Sequence, residues 1–446
     1  MPTVRLRSPL RELAGGGSLE VDGTTVAEVV KRLETEHPRL VGWILDERGS
    51  VRSHVALFVN GARVEQDTPV GPRDRLDVLG AISGGAGDPA EILIGTAKGL
   101  IVLRGPRGGP MEVAARRFSG QVVEYATRDP RTGTYLASVT HGQYGPRLFV
   151  TEDPLAERWD QAEGPAFPED AGEAVERIWT VVPAQEDGVL WAGVAPAALF
   201  RSEDGGRSWS LNRALWDRPE RASWEPGAGG LCLHSICTWP GDPDRLAVGI
   251  SAAGVWLTED GGRSWRTGFD GLVARYLPEE ARETSSSLCV HNVHRSPIPE
   301  RLYLQFHGGV YRSDDSGESW SDIGSDGGLP SDFGFPLVAH PRDADRAYVI
   351  PLRGDFDRVT PNGDVAVYET ADAGGEWTAL RDGLPQGDSY LTILRQAFDH
   401  DGRDPLGLYF GAESGEVFGS EDGGRRWRVV AEHLPPITSV RCSREG

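Results

Sequence analysis

Apolar and polar residues alternate over short stretches through most of the chain, which is the pattern of half-buried β-strands. Within the first 85 residues, TVRLRSPL (3–10), SLEVDG (18–23) and RLDVLG (75–80) predict three strands. HVALFVNGARV (54–64) predicts two more, joined as a hairpin, because Asn60-Gly61 favours a tight turn between two β-rich runs.

One early stretch departs from this alternation and predicts a helix. Thr24 or Thr25 can cap its N-terminus with Glu28 completing a capping box, and His37-Pro38 ends it. The apolar residues that recur on one helical face are Val26, Val29, Val30 and Leu33. The first 85 residues are therefore expected to form a small α+β domain.

This order of elements resembles the ubiquitin-like β-grasp sulfur carriers, which include the small subunit of molybdopterin synthase (MoaD) and the thiamine sulfur carrier (ThiS). The resemblance rests on FVNGARV, on the PRDRLDVLG strand and on the di-glycine Gly84-Gly85, and it covers residues 1–85. It implies that an E1-like activating enzyme adenylates Gly85 with ATP, after which the glycine becomes a thiocarboxylate. An extended glycine tail suits a narrow activating site.

The di-glycine lies inside the chain, because more than three hundred residues follow it. Gly85 therefore has no free carboxylate as the chain is written. Two interpretations stay open. Either a JAMM-type protease cuts after Gly85 and frees the tail, or Gly84-Gly85 and the linker 86–91 serve only as a hinge.

Beyond the linker, a ten-residue motif recurs. The aspartates at the same place in successive copies are 51, 56, 55, 57 and 50 residues apart, the first copy being degenerate. They are Asp153, Asp204, Asp260, Asp315, Asp372 and Asp422. A period near 50 residues with β-type content predicts a β-propeller.

The motif Ser/Thr-x-Asp-x-Gly-x-x-Trp, as in WLTEDGGRSW (256–265), resembles the Asp-box (BNR) repeat of sialidase-like propellers over residues 92–446. The resemblance implies a structural role in which the aspartate accepts hydrogen bonds within its own hairpin loop and the tryptophan packs between sheets. EILIGTAKGLIVLRG (91–105) lacks a preceding inner strand, and PPITSVRC (435–442) has no partner after it. We therefore predict an all-β, seven-bladed propeller whose C-terminal strand closes the first blade.

The distribution of charge limits the classes of binding partner that can be expected. Residues 1–85 hold 11 Lys/Arg and 12 Asp/Glu, whereas the rest of the chain holds 35 and 55. Such an acidic body repels phosphate backbones, so we expect no nucleic-acid partner.

No apolar run approaches the roughly 18 residues of a membrane span, the N-terminus has no apolar signal region, and four cysteines make no disulfide framework. We expect a cytoplasmic protein without a membrane partner.

A site is expected at the rim opposite the Asp boxes, where each inner strand begins. Aligning the inner strands places Glu124, Arg177, His234 and His291 in consecutive blades, followed by the apolar Phe335 and Ile393. We predict that the four polar residues form a candidate catalytic arc in the channel. The alternative is that these four side chains only fill the channel and form hydrogen bonds there, as polar side chains do in other large propellers.

Loops at the same rim supply candidate binding residues for a small-molecule or protein ligand. These residues are His141, His307, Arg353, Asp355, Asp357 and Arg358.

A metal site is not expected. Cys232-x-His234 and Cys289-x-His291 carry suitable ligand types, but both cysteines align with apolar residues in the other blades and are expected to be small buried hydrophobes. Because the two Cys-x-His pairs occupy equivalent positions in successive blades, both are expected to point in the same direction around the ring. They are therefore not expected to face each other.

Three functions remain open. The leading hypothesis is a sulfur-carrier-like domain fused to a propeller that serves as a binding platform. The second is a hydrolase or lyase, glycosidase-like in its use of the channel arc. The third is a non-catalytic interaction scaffold. Classical sialidase activity is not expected, because the chain has no Arg-Ile-Pro segment and Arg177, Arg353 and Arg358 do not by themselves make an arginine triad.

Overall fold

The computed structural model describes residues 1–6, 10, 14, 16–41, 44, 45, 49, 51, 55–64, 66–80, 89–227, 229–282, 287–324 and 326–444. The chain divides into two compact units, Met1–Pro89 and Ala90–Gly446. Gly84 and Gly85, and with them the predicted carrier tail and residues 86–88 of the linker, lie outside the described residues.

The first unit contains a mixed five-stranded sheet and a helix at residues 26–36, as the sequence predicts for a β-grasp domain. The strands lie in the order β2-β1-β5-β3-β4, with β1 parallel to β5 and the other pairs antiparallel. Their bounds are β1 Thr3–Leu6, β2 Ser18–Glu20, β3 Val55–Val59, β4 Ala62–Val64 and β5 Arg75–Gly80, with helix α1 at Val26–Glu36 and a 3-10 turn at Pro38–Leu40.

The predicted capping box forms at the start of α1. The Thr25 hydroxyl accepts a hydrogen bond from the Glu28 N–H at 3.3 Å, and the Glu28 carboxylate accepts from the Thr24 N–H at 2.9 Å. These bonds satisfy backbone donors that have no partner within the helix. The apolar face packs Val26, Val29, Val30 and Leu33 into the core of this unit, each fully buried.

The hairpin between β3 and β4 also forms as predicted. Asn60 and Gly61 both have positive φ, at 53° and 88°, which a two-residue type I′ turn requires. The Asn60 side chain donates to the Asp74 carboxylate at 2.8 Å, so the turn is tied to the loop before β5.

In the second unit, the described residues form seven four-stranded antiparallel sheets, which we call blades 1 to 7 in chain order. These four-stranded sheets are consistent with the expected propeller. From the innermost strand outward, the bounds are as follows: blade 1, β33 Ile437–Cys442, β6 Pro89–Thr96, β7 Gly99–Pro106, β8 Glu112–Arg117; blade 2, β9 Val122–Arg128, β10 Tyr135–His141, β11 Gly145–Thr151, β12 Asp160–Ala162; blade 3, β13 Arg177–Pro183, β14 Leu190–Ala195, β15 Ala198–Ser202, β16 Ser210–Leu211; blade 4, β17 Leu233–Trp239, β18 Asp242–Ile250, β19 Gly254–Thr258, β20 Arg266–Thr267; blade 5, β21 Val290–Arg295, β22 Leu302–Phe306, β23 Gly309–Ser313, β24 Ser321–Asp322; blade 6, β25 Gly334–Ala339, β26 Ala347–Pro351, β27 Val367–Thr370, β28 Thr378–Leu380; blade 7, β29 Phe398–His400, β30 Leu408–Gly411, β31 Val417–Ser420, β32 Arg428–Ala431.

The C-terminal strand closes the ring, as predicted. Strand β33 pairs antiparallel with β6 and becomes the innermost strand of blade 1. The innermost strands of neighbouring blades contact one another all the way round. Short helical segments lie outside the sheets, with the single turn α2 at Arg213–Trp216 and 3-10 turns at Glu169–Ala171, Pro219–Ser223, Glu279–Ala281 and Pro361–Gly363.

The Asp boxes are the hairpin loops between the third and fourth strands of their blades. Asp260 is typical, because its carboxylate accepts from the Ser264 N–H at 2.9 Å, the Thr258 hydroxyl at 2.8 Å and the Ser264 hydroxyl at 2.6 Å. The box tryptophan Trp320 donates its indole N–H to the Gly268 carbonyl of the preceding blade at 2.9 Å. The Asp260 motif therefore closes its own loop, and the Trp320 indole joins blade 5 to blade 4.

No helix in the described part of the chain combines the length and the apolar content needed to cross a lipid bilayer.

Candidate functional site

A cavity of about 690 Å³ opens in the second unit at the end where the innermost strands begin. The apolar and aromatic residues that line it are Val122, Trp179, Tyr276, Leu277, Phe333, Phe335 and Leu394. The charged, thiol and imidazole side chains that line it are Glu124, Arg177, Glu225, Cys289, His291, His307, Asp355, Arg358, Arg395 and Glu413. An apolar wall with convergent polar groups is the usual form of a small-molecule site.

β-bulges near the start of the innermost strands aim side chains into this cavity. The strand register shifts by one residue around Glu124 in β9 and around His291 in β21, and a similar irregularity follows Gly334 at Phe335 in β25. A bulge leaves one residue unpaired and redirects its side chain. The bulged residue of an innermost strand can therefore face the channel.

The bulges also correct the sequence alignment in blade 3. The register shift in β13 falls at Trp179, two residues beyond Arg177. Trp179 is therefore the structural equivalent of Glu124 and His291, although both Arg177 and Trp179 line the cavity. Ile393 of blade 7 is fully buried and does not line it, whereas Arg395 and Gln396 do.

Glu124 and Arg177 form an ion pair in the cavity wall, with 3.2 Å between the Arg177 Nε and a Glu124 carboxylate oxygen. The Glu124 side chain is 10% exposed. Burial raises the pKa of Glu124, and the Arg177 charge opposes that rise without cancelling it.

Three guanidinium groups share two aromatic rings. Arg177 and Arg395 lie 5.0 and 5.1 Å from the Trp179 ring centroid. Arg395 and Arg358 each lie 5.6 Å from the Phe335 ring centroid. Arg395 therefore occupies the centre of the group, and it is the most deeply buried of the three.

Cys289, His291 and His307 come together at the blade 5 wall of the cavity. Their ligand-type atoms all lie within 4.8 Å of one another. The His291 Nδ1 donates to the Gly334 carbonyl at 2.6 Å, and burial holds the pKa of His291 well below its usual value. Burial also lowers the pKa of His307, whose Nε2 lies 3.9 Å from the Asp355 carboxylate.

The structure separates several predicted site residues from the cavity. His234 is buried away from it, and both its ring nitrogens have partners, the Ser235 hydroxyl at 2.9 Å and the Val290 carbonyl at 3.0 Å. His141, Arg353 and Asp357 also lie outside the cavity lining. His141 accepts a hydrogen bond from the Gln143 N–H, and Arg353 forms an ion pair with Asp357 at 3.3 Å. The predicted arc is thus reduced to Glu124, Arg177 and His291, joined by His307, Asp355 and Arg358.

Sequence reasoning missed Arg395, Trp179 and Cys289 as cavity residues. Arg395 carried a signal, because the position two residues beyond the aligned register is apolar in the other blades and arginine in blade 7 alone. Cys289 was expected to be a small buried hydrophobe. Cys232 is fully buried, but Cys289 is only partly buried and lines the cavity, so that expectation is wrong for Cys289.

Comparison with known proteins identifies the class of the first unit. Residues 4–85 match the ThiS family. A ThiS/MoaD-type domain therefore occupies the N-terminus and is fused to a propeller. A search of curated proteins finds no match to the chain.

Solved structures resemble the two units separately. The second unit is similar to an ancestral GH74 enzyme at 16% identity and TM-score 0.45, with 72% of this chain and 38% of that chain covered. The GH74 enzyme of Niastella koreensis gives 12% identity and TM-score 0.46 over 78% of this chain and 65% of that chain. SAMP1 from Haloferax volcanii gives 27% identity and TM-score 0.17 over 19% of this chain and 97% of that chain. This chain thus spans well under half the length of the first of these proteins.

Proposed function

We propose that the propeller is a binding platform whose channel cavity holds a small anionic molecule with an apolar or aromatic body. The observation that carries this proposal is Arg395. It is 7% exposed, its Nη1 donates to the Cys232 sulfur at 3.5 Å, and its Nε has no hydrogen-bond partner among the described residues.

The energetics favour an anion at this guanidinium. Taking a charged group out of water costs several kcal/mol. The two cation–π contacts of Arg395 return only about 0.5–2 kcal/mol each, and a thiol sulfur is a weak acceptor. A carboxylate or phosphate would supply the missing charge and accept from the guanidinium in a bidentate fork.

The rest of the cavity fits the same ligand. Arg358 shares the Phe335 ring with Arg395, and its Nε is held by the Asp355 carbonyl at 2.8 Å. Arg177 is already paired with Glu124. Two guanidinium groups therefore converge on one ring, and neither forms an ion pair with a carboxylate in the part of the chain that the structure describes.

Calorimetric titration with benzoate and phenyl phosphate, against benzamide as the neutral comparison, tests this proposal. We expect the two anions to bind and benzamide to bind at least tenfold more weakly. Arg395→Gln should weaken anion binding tenfold or more, since a charged hydrogen bond contributes about 1.5–3 kcal/mol. Arg353→Gln is the matched control, because Arg353 is 68% exposed and outside the cavity. Equal binding of benzoate and benzamide would overturn the proposal.

We further propose that the first unit acts as a sulfur carrier once its tail is free. The match to the ThiS family ends at Gly85, and that endpoint favours the proposal. A JAMM-type protease would hydrolyse the peptide bond after Gly85. An E1-like enzyme would then join the new carboxylate to the AMP moiety of ATP with release of pyrophosphate, and a sulfur donor would displace AMP.

Mass spectrometry of the chain from cells that contain both enzymes tests the carrier proposal. We expect a fragment ending at Gly85 whose mass shows one oxygen replaced by sulfur. Gly85→Val should abolish the modified fragment. An intact chain under the same conditions contradicts the proposal and favours a plain hinge between the two units.

A hydrolase or lyase in the same cavity is the second candidate function. Glu124 favours it, because this carboxyl group lines the cavity and burial raises its pKa, which is the direction of change that suits a general acid. A panel of glycosides tests the candidate. Glu124→Gln should abolish any turnover that the wild type shows, and turnover retained by this variant would exclude Glu124 as the acid.

A further inference from the structure

We propose that Cys289, His291 and His307 form a zinc site that opens onto the channel cavity. The chain offers one thiolate and two imidazoles, which are the ligand types that zinc prefers. Three protein ligands with a fourth position open to a cavity is the arrangement of a zinc ion that can bind a further molecule. The sequence alone predicts no metal site at these residues.

Strand geometry brings the three ligands to one face. Cys289 directly precedes β21, His291 is the bulged second residue of that strand, and their ligand-type atoms lie within 4.8 Å of each other. His307 directly follows β22, and its N–H donates to the Cys289 carbonyl at 3.1 Å. Cys289 and His307 are therefore cross-strand neighbours, which places all three ligands at one corner of the blade.

The second His291 nitrogen is positioned for a metal. A carbonyl oxygen can only accept, so the bond to Gly334 places the proton on Nδ1 and leaves the Nε2 lone pair free. Metal-binding histidines usually hold their other ring nitrogen in this way. Tyr276 covers the cluster on one side, with its ring 4.3 Å from that of His307.

The distances fit a site that closes on its ion. Zinc at about 2.3 Å from sulfur and about 2.0–2.1 Å from nitrogen separates tetrahedral ligands by roughly 3.3–3.6 Å. Since the ligand atoms now lie within 4.8 Å of one another, closing on zinc requires a shift of at most about 1.2–1.5 Å. Rotation of the His307 side chain, which is 22% exposed, can provide it. Binding would release the thiol proton of Cys289 to solvent.

Blade 4 contains a natural comparison that lacks the third ligand. Cys232 and His234 repeat the Cys-x-His spacing, but the residue opposite Cys232 is Ser251, whose N–H donates to the Cys232 carbonyl at 2.9 Å. Both ring nitrogens of His234 are occupied. The same short motif therefore makes a site in one blade and core packing in the next.

Zinc binding to the full-length chain tests the proposal. After treatment with chelator and dialysis against Zn²⁺, we expect about one zinc per chain by elemental analysis. Cobalt substitution should give a thiolate-to-cobalt charge-transfer band. Cys289→Ser should remove that band, and Cys289→Ser and His307→Gln should each weaken zinc binding by roughly 100-fold or more, since loss of even an outer-shell partner costs about 10–100-fold.

Cys237→Ser, at a buried cysteine outside the cavity lining, is the matched control and should bind zinc as the wild type does. Circular dichroism of each variant separates a lost ligand from a lost fold, and His307→Gln alters a partly exposed side chain that is expected to leave the fold intact. A wild-type chain that retains no zinc, or a Cys289→Ser variant that retains zinc with unchanged affinity, would overturn the proposal.

Discussion

At the scale of single residues, the cavity is lined by polar groups that lack full hydrogen bonding, and their burial lowers the stability of the folded protein. Arg395 has no carboxylate partner among the described residues, and the Trp179 indole N–H, also on the cavity wall, has no hydrogen-bond partner there. Uncompensated polar groups of this kind cluster where a protein binds something.

Arg395→Leu should therefore stabilise the ligand-free protein while it abolishes anion binding. Replacing buried charge by well-packed apolar side chains is often stabilising, by about 1–4 kcal/mol. Scanning calorimetry without ligand should show a raised unfolding temperature for the second unit, and titration with benzoate should show no binding. Arg353→Leu, on an exposed side chain, is the control and should change neither. A destabilised Arg395→Leu variant would mean that the aromatic contacts of Arg395 outweigh its desolvation.

At the scale of single elements, the repeated Asp motifs stabilise the hairpin loops between the third and fourth strands of their blades. The Asp204 and Asp260 carboxylates each accept from a serine hydroxyl four residues on, and these hydrogen bonds lower the pKa of both aspartates to about 2. In blade 6 a glutamate follows at that position, so Asp372 accepts from the Glu376 N–H at 3.0 Å without a serine hydroxyl.

Asp260→Ala should lower the free energy of unfolding by about 1 kcal/mol at neutral pH, after allowance for solvent screening. The pKa of Asp260 is lower in the folded chain than its usual value near 3.8, so its contribution is complete above about pH 4 and is lost as the pH falls toward about 2. Urea denaturation from pH 2 to 7 measures this. The difference from wild type should shrink toward pH 2, and Asp372→Ala should show a smaller one. A difference that does not change with pH would contradict this account.

At the scale of the whole molecule, closure of the ring depends on residues far apart in the chain. Strand β33 completes a blade that begins at β6, and the Thr438 hydroxyl donates to the Val123 carbonyl of blade 2 at 2.5 Å. A propeller has short protected edges only when every blade has its inner strand. The second unit contains both partners of this closure within its own sequence.

Removing residues 435–446 should therefore abolish cooperative unfolding of the second unit, whereas removing residues 1–88 should leave it folded. The first deletion exposes the inner edge of β6 and the apolar residues that β33 covers, among them Ile437 and Val440, both fully buried. Circular dichroism with thermal scanning compares the two deletions. A cooperative transition in the chain that lacks 435–446 would show that three strands suffice for blade 1.

The fold was largely predictable because its signals are local and repeated. The capping box at Thr25, the turn at Asn60-Gly61 and the Asp boxes each act within a few residues. The site was less predictable, because innermost strands begin with bulges that sequence alignment does not show. One such bulge displaces the aligned position in blade 3 from Arg177 to Trp179.

The sequence by itself determined the two domain types, the repeat and the closing strand, since each depends on hydrophobic period, turn chemistry or spacing. Only the tertiary structure distinguished Cys289-x-His291 from Cys232-x-His234. The two motifs have the same spacing, but strand pairing sets His307 beside the first and Ser251 beside the second. Which groups converge in a cavity depends on what neighbouring strands bring to it, and strand pairing joins residues that are distant in the chain.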